Sequence, residues 1–193
     1  MPPIILASQS PRRKMLLEWA EIPFQIIVKP TDEVFPPGLA PADAAIYIAR
    51  NKALAVRATA VLPVNPPPVI LAADTMVVLD EHIIGKPADR SEAIHTLQQL
   101  SGREHRVCTG VVLLHGETEI TFAETTAVRF HPLTDEQISW YVDQYQPYDK
   151  AGAYAIQEWI GVVGIHSIRG DFYNVMGLPV SRVVQALQSI NHP

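Results

Sequence analysis

The sequence predicts a mixed α/β domain with helices packed on a mixed sheet. Short, continuously apolar segments precede helices that carry polar caps, as in βα units. Two longer β-rich runs, Val107–Leu114 and Ile120–Phe130, flank the turn HGETE as a hairpin. The chain has 193 residues, 48% of them hydrophobic, which is enough for one sizeable core without disulfides. We therefore expect a single domain over residues 1–193.

The first predicted elements are a strand, a helix and a second strand. Ile4–Ala7 is apolar throughout, which is typical of a strand buried on both faces. Ser10 is a good N-cap and Pro11 suits the first helical position, so a helix should begin there. Phe24–Val28 predicts the second strand, and the loop after it carries Glu33.

A long helix is predicted from Pro41 to about Ala58. Lys52 falls on its apolar face, four residues after Ile48. Its stem could pack while the ammonium reaches water, or the ammonium could meet an anion, and both interpretations stay open. The inward face is otherwise marked by Ala45, Ile48, Ala49, Ala55 and Val56.

A proline-rich segment and a strand follow this helix. LPVNPPPV, residues 62–69, contains four prolines and predicts a stiff surface connector. Val69–Ala73 predicts a buried strand that Asp74 and Thr75 interrupt and that Met76–Leu79 resume. LDEHII then predicts a hairpin turn that leads into the loop GKP.

Helix caps organise the second half of the chain. Asp89 with Glu92, and Thr134 with Gln137, have the spacing of capping boxes, and Gly102 is the expected stop after the first of these helices. The remaining strands are predicted around 153–157, 162–168 and 172–175, and a last helix from Pro179 to about Ile190.

Charge and cysteine content exclude several classes of protein. The formal net charge of −5 argues against a nucleic-acid-binding surface, so an anionic ligand needs a local cluster of cations. Cys108 is the only cysteine and is expected to be a small buried hydrophobe. The N-terminus lacks a basic n-region, and no apolar run approaches the ~20 residues of a membrane span. These features predict a soluble, cytoplasmic protein.

Several catalytic motifs are missing from the sequence. The seven histidines have no zinc-ligand spacing, so a zinc site is not expected. Neither a G-x-S-x-G elbow nor a P-loop occurs, which leaves serine-hydrolase and P-loop chemistry without support.

Two arginines follow Pro11 at a helix N-terminus, where the helix dipole disfavours cations by roughly 0.3–1 kcal/mol each. Arg12 and Arg13 could be solvated surface residues. An anion at this position would instead gain from the unpaired N–H groups and from the guanidinium forks. Ser8 would add a hydroxyl donor, so the segment favours an anion site.

Asp74 comes directly after a buried apolar run, where a carboxylate without a partner is costly. A salt bridge, or a cap to Thr75, would explain it structurally. A metal ligand or a base at a strand end would explain it functionally. Lys86 and Lys150 lie in tight loops, and neither is unusual alone.

Taken together and in order, six segments resemble the Maf family of nucleotide pyrophosphatases. The resemblance spans nearly the whole chain, and it is the joint occurrence of the segments that makes it specific. They are LASQSPRR near the start, ADT at 73–75, GKPAD at 85–89, SGREHRVCTG at 101–110, DKAGAYAIQ at 149–157 and GDFYNVMGLP at 170–179.

The resemblance implies an elongated ITPase-like α/β fold with a cleft between two lobes. It also implies hydrolysis of a nucleoside triphosphate to the monophosphate and pyrophosphate with a divalent cation, Mg²⁺ or Mn²⁺. Asp74 would be the proton acceptor, and Asp74 and Glu33 the candidate metal ligands. The implied substrate-binding residues are Ser8, Arg12, Arg13, Lys52, Thr75, Lys86, Lys150 and Gln157.

The segment AGAYAIQ is similar to the branch that acts on dTTP and UTP. In the predicted strand, Ala153, Ala155 and Gln157 share one face, so the Gln157 amide could read a pyrimidine edge. Gln157 could also be an ordinary polar residue at a strand end. The chain departs from the family at Glu158-Trp159, where glycines are frequent, and this bulky pair would narrow the base pocket.

Two other functions stay open at this point. The same site could serve a nucleotide-sensing regulator of cell division without significant turnover, or a pyrophosphatase that acts mainly on modified nucleotides. In each case the partner is a small-molecule nucleotide, with no nucleic acid and no membrane, and the resemblance suggests a homodimer.

Overall fold

The structure is a computed structural model that describes residues 2–59 and 67–191. Within these ranges the strands are β1 Ile4–Leu6, β2 Gln25–Ile26, β3 Val69–Leu79, β4 His82–Ile84, β5 Glu104–His115, β6 Thr118–Phe130 and β7 Ile165–Arg169. The helices are α1 Pro11–Trp19, α2 Pro41–Arg57, α3 Arg90–Leu100, α4 Asp135–Tyr145, α5 Trp159–Gly164, α6 Phe172–Met176 and α7 Val180–Asn191, with a 3₁₀ turn at Ala151–Ala153.

The strands form one mixed sheet. Its order is β2-β1-β3-β5-β6-β7, with β4 paired to β3. β1 runs parallel to both β2 and β3, whereas β4 is antiparallel to β3 and β7 is antiparallel to β6. The predicted mixed α/β class is therefore confirmed.

The chain divides into two compact units. The first contains Met1–Asp74, Thr109–Glu124 and Gly177–Pro193, and the second contains Thr75–Cys108 and Thr125–Met176. The strands β3, β5 and β6 contribute residues to both. The elongated form and the cleft that the resemblance implies stay predictions.

In the first unit, α2 packs against the sheet through small residues. A Cβ added at Gly110 of β5 would lie 2.3 Å from the backbone nitrogen of Ile46, so only glycine allows this close approach. The predicted inward face of α2 is confirmed, except that Ala55 is only half-buried. The hydrophobic cluster between the helix and the sheet contains Ile5, Ala7, Ala49, Ala53, Val56, Ile70, Ala72, Val112 and Leu114.

The start of the chain folds as expected. Ser10 caps α1 by accepting a hydrogen bond from the backbone of Arg13 at 3.4 Å, and Pro11 is the first helical residue. β1 confirms the first predicted strand, whereas β2 is shorter than the predicted Phe24–Val28.

The prediction that Asp74 and Thr75 interrupt a strand is wrong. β3 runs without a break through both residues, because their side chains are only half-buried and their backbone groups can stay in the ladder. The hairpin after it is confirmed: Asp80 and Glu81 have φ angles of 46° and 67°, as a two-residue primed turn requires.

Helix caps in the second unit are also confirmed. The Asp89 carboxylate accepts from the backbone of Glu92 at 2.9 Å, and Thr134 and Gln137 form both hydrogen bonds of a capping box. Gly102 has φ 71°, as a left-handed stop after α3 requires.

Three short strands were predicted in the last third, and the structure changes all of them. Residues 153–157 form no strand: the segment begins at the end of a 3₁₀ turn and ends in a second turn. Residues 172–175 lie in helix α6. The region 162–168 is divided between α5 and β7. The final helix is confirmed as α7. Most of the connector 62–69 lies outside the described residues.

Two expectations from composition concern burial and membrane insertion. Cys108 is buried, as expected of a small apolar side chain. Among the described residues, none of the helices combines the length and the apolar character that a membrane crossing requires.

Candidate active site

Lys52 of α2 holds two carboxylates in the first unit. Its ammonium donates to Asp74 Oδ1 at 2.6 Å and to Glu33 Oε1 at 2.7 Å. The Lys52 and Asp74 side chains are 16% and 13% exposed, whereas Glu33 is 47% exposed. The helix therefore places a cation against an inner carboxylate from a strand and an outer one from a loop. Lys52 is paired with acids, and its ammonium does not simply reach into water.

The position of Asp74 follows from its strand. β3 is buried on either side of Asp74 and Thr75, and both of these residues are half-buried. A carboxylate in such surroundings needs a partner, and Lys52 supplies one. The salt bridge considered from the sequence is present, and it also fixes one carboxylate oxygen in the middle of a buried strand.

Arg13 is buried at the start of α1. It donates from Nε to the backbone oxygen of Gly177 at 2.8 Å and from Nη1 to Ser8 Oγ at 3.0 Å. Ser8 is buried as well and accepts from the backbone of Ser10 at 3.2 Å. Part of the Arg13 guanidinium therefore holds the β1–α1 loop against the segment before α7.

The charges of this unit lie within electrostatic range of one another. Burial lowers the pKa of Arg13, while the charge of Asp74 raises it, that of Arg12 lowers it and that of Glu33 raises it. Arg12 itself is half-buried. Arg13 therefore responds to the charge of Asp74, and the convergence of Arg12, Arg13 and Asp74 on one anion stays a prediction.

The second unit contains a second lysine between acids. Lys150 lies 2.7 Å from Asp149 Oδ1 and 3.6 Å from Glu158 Oε1, and its side chain is only 10% exposed. The Tyr141 hydroxyl donates to Glu158 Oε2 and accepts from the backbone of Ala155 at 3.2 Å. Lys150, predicted from a loop motif, is therefore a buried and paired cation.

Of the other predicted residues in the second unit, Thr75 lies in β3, whereas Lys86 and Gln157 lie on loops. Lys86 is exposed, and the oxygen of the preceding Gly85 accepts from Gly152 at 3.1 Å, which joins its loop to the segment after Lys150. Gln157 is exposed in a turn. The prediction that Ala153, Ala155 and Gln157 share a strand face is wrong, because no strand forms there.

The predicted metal ligands form an oxygen-only pair. Glu33 and Asp74 accept from the same nitrogen, so their carboxylates point to one place. Within 2–59 and 67–191 no group of three or more His, Cys, Asp or Glu side chains could hold a metal ion. Two hard carboxylates without a closed cage suit Mg²⁺ or Mn²⁺ shared with a phosphate ligand.

Sequence reasoning missed the polar contacts of Tyr141 and Asn174. The helical pattern of α4 shows that the Tyr141 ring is buried but not which groups its hydroxyl contacts. Asn174 is buried and donates from Nδ2 to Val107 O and to Thr126 Oγ1, both at 3.0 Å. Its position within an aromatic run gave no sign of this role.

Comparison with known proteins places the chain in a family. A family model described as Maf-like protein matches residues 3–190. Proteins named dTTP/UTP pyrophosphatase are similar over the full length. The one from Symbiobacterium thermophilum is 47% identical over 193 residues, 100% of this chain and 96% of its own.

Two further relatives carry the same name. The protein from Cytophaga hutchinsonii is 46% identical over 98% of this chain and 85% of its own, and that from Bacillus velezensis is 45% identical over 97% and 96%. A solved structure of the Staphylococcus aureus Ham1 protein matches 66% of this chain and 71% of its own, with a TM-score of 0.42 and 12% identity. On the family model and these sequence relatives, the chain belongs to the Maf-like protein family.

Proposed function

We propose that this protein hydrolyses nucleoside triphosphates, dTTP and UTP foremost, to the monophosphate and pyrophosphate. The observation that carries the proposal is the first-unit cluster, in which Lys52 holds Asp74 and Glu33 within electrostatic range of Arg13. Full-length relatives at 45–47% identity are named for this reaction.

In this reaction Asp74 acts on the attacking water. One oxygen of its carboxylate is held by Lys52, and the carboxylate has a second oxygen that can orient the water and accept its proton. Because strand β3 fixes the backbone and the salt bridge fixes the side chain, the acceptor is positioned before substrate binds.

The cations stabilise the charge that develops on the departing pyrophosphate. On the family resemblance, we assign Arg12, Lys52, Lys86 and Lys150 to the phosphates. Ser8 and Thr75 supply hydroxyls, and Arg13 holds the loop on which Ser8 lies. Fixed charges of this kind contribute mainly by electrostatic stabilisation.

Glu33 and Asp74 are the residues we assign to a divalent cation. Their carboxylates converge on the Lys52 ammonium, which offsets part of their negative charge. A bound Mg²⁺ or Mn²⁺ would supply charge neutralisation and a more acidic water. We assign base recognition to the exposed amide of Gln157, which offers both a donor and an acceptor.

The purified protein tests this function directly. We expect pyrophosphate release with Mg²⁺ from dTTP and UTP, and a panel of canonical and modified triphosphates should rank those two first. A modified nucleotide ranked above them would favour the alternative of a pyrophosphatase that acts mainly on modified nucleotides. Tight nucleotide binding without pyrophosphate release would favour the sensor.

Asp74→Asn tests the assigned acceptor. The amide keeps the shape and can still contact Lys52, but it cannot accept a proton, so we expect turnover to fall roughly 10²–10⁴-fold. Thermal unfolding of the variant should remain cooperative. Near-normal turnover in a folded Asp74→Asn protein would remove Asp74 from the mechanism.

We further propose a cytoplasmic location, where free nucleotides are available, and a homodimer, as the family resemblance suggests. Sedimentation of the purified protein checks the second point, and a monomeric mass at micromolar concentration would contradict it.

A further inference from the structure

Gln157 lies in a β-turn whose two ends meet at one hydroxyl group. The backbone N–H of Glu158 donates to the oxygen of Ala155 at 3.1 Å and closes the turn. The N–H of Ala155 donates to Tyr141 Oη at 3.2 Å, and the Tyr141 hydroxyl donates to the Glu158 carboxylate. Residues 155 and 158 are thus fixed to the same atom of α4.

Tyr141 is itself a rigid anchor. Its ring is fully buried in α4 and stacks on Tyr145 with centroids 4.9 Å apart. Burial is the main cause that raises the pKa of Tyr141, and the hydrogen bond to Glu158 raises it further. The hydroxyl therefore keeps its proton and acts as the donor to Glu158.

The second oxygen of the Glu158 carboxylate has a charged neighbour. Oε1 lies 3.6 Å from the ammonium of Lys150, which also contacts Asp149 at 2.7 Å. The Glu158 side chain is 21% exposed. With a hydroxyl on one oxygen and an ammonium near the other, the carboxylate is restrained on both sides.

The backbone after the turn is closely packed at Gly161. Gly161 N–H donates to the oxygen of Glu158 at 2.9 Å in the first turn of α5. A Cβ at Gly161 would lie 1.7 Å from the oxygen of Ile156, so only glycine fits. The turn is therefore closed by α4 on one side and by α5 on the other.

We propose that Tyr141 and Glu158 are positioning residues that hold the turn 155–158 in one conformation, so that the Gln157 amide meets the nucleobase in one orientation. This inference rests on the proposed function, in which Gln157 reads the base. A preorganised amide selects among bases more strongly than a mobile one, because it cannot turn to satisfy the wrong donor and acceptor pattern.

Variants of Tyr141 and Glu158, the two residues that form the clamp on the turn, test the proposal through discrimination between bases. The measurement is the ratio of kcat/KM for dTTP to that for dCTP. We expect Tyr141→Phe and Glu158→Ala each to lower this ratio roughly 5- to 10-fold, about the value of one well-placed hydrogen bond, mainly through KM for dTTP. Glu158→Gln keeps an oxygen that accepts from Tyr141 and should retain most of the ratio.

Tyr145→Phe is the matched control. It removes a hydroxyl from the same helix, one turn later and at a partly exposed ring, and should leave the ratio unchanged. Amide hydrogen exchange gives a readout that does not depend on activity: the N–H of Ala155 should exchange faster in Tyr141→Phe than in Tyr145→Phe.

Gln157→Glu separates failure of the inference from failure of the proposed function. If Gln157→Glu changes the ratio while Tyr141→Phe and Glu158→Ala do not, the clamp is overturned and base reading stands. If Gln157→Glu leaves the ratio unchanged, base reading fails and the inference fails with it. A general loss of kcat at constant ratio in the clamp variants would also overturn the inference.

Discussion

Each of the two units holds a mostly buried lysine between an inner and an outer carboxylate, but the two lysines are held differently. Lys52 makes short contacts of 2.6 and 2.7 Å to both acids. Lys150 makes one short contact, to the exposed Asp149, and lies 3.6 Å from the inner Glu158. In the second unit the inner carboxylate, that of Glu158, instead accepts a hydrogen bond from the Tyr141 hydroxyl.

The difference follows from the elements that carry the inner acids. Asp74 lies in a continuous strand, so the backbone already fixes it and its carboxylate is available to the lysine. Glu158 lies at the end of a turn, where a side-chain hydroxyl must supply the restraint. We infer that the first cluster takes part in the reaction and that the second holds the turn 155–158 in place.

Replacing each lysine separately with glutamine should distinguish these two roles most clearly. Lys52→Gln removes the charge between two converging carboxylates and a fixed cation from the phosphates, so we expect kcat to fall roughly 10²–10³-fold. Lys150→Gln should raise KM, by roughly 10-fold, with a smaller change in kcat. Steady-state kinetics with dTTP measures both.

Equal losses of kcat in the two variants would show that the two lysines do not have separate roles. Circular dichroism should show that both fold, and Lys14→Gln, at an exposed i,i+4 pair with Glu18, is the control for general loss of positive charge.

A pH experiment tests the packing of the second unit. His105 is buried, its Nε2 lies 2.7 Å from the Tyr154 hydroxyl, and burial lowers its pKa from 6.5 to about 4. The unfolded chain therefore binds the proton first. This contribution to stability is complete above pH 6.5 and is lost progressively as pH falls from 6.5 to about 4, up to about 3 kcal/mol.

Urea unfolding at several pH values checks this expectation. His105→Gln cannot titrate in this range, so its free energy of unfolding should change less between pH 7.5 and 4.5 than that of the parent. His95→Gln, at an exposed position on α3, should follow the parent curve. Parallel curves for His105→Gln and the parent would contradict the prediction.

The outer acids give the smallest expected effect. Glu33→Gln weakens the oxygen pair that we assign to the divalent cation, so the Mg²⁺ concentration for half-maximal rate should rise about 10-fold. Asp149→Asn changes the matching outer acid of Lys150 and should leave the Mg²⁺ requirement unchanged. A shift of the same size in both variants would remove Glu33 from the metal site.

The sequence indicates part of the first cluster through two local patterns. Lys52 lies on the apolar face of α2, and Asp74 follows a buried apolar run, so each charge needs a partner. Which partner each one has was not predicted, because Lys52, Asp74 and Glu33 come from three separate segments of the chain. The continuation of β3 through Asp74 was also missed.

The turn around Gln157 could not be predicted, because an alternating pattern does not distinguish a strand from buried turns. Gly152 and Ala153 have φ angles of 72° and 58°, which no strand accommodates. The contact that fixes the turn comes from Tyr141, in a different element. The helix at 172–175 is a similar case, since Asn174 is held by distant partners that override the β preference of its neighbours.

The glycine at 161 has a consequence for how such a protein can diverge. With the Ile156 oxygen 1.7 Å from where a Cβ would lie, any other residue at 161 would force the main chain to move. We infer that side chains displayed on the turn 155–158 can be exchanged more readily than this glycine.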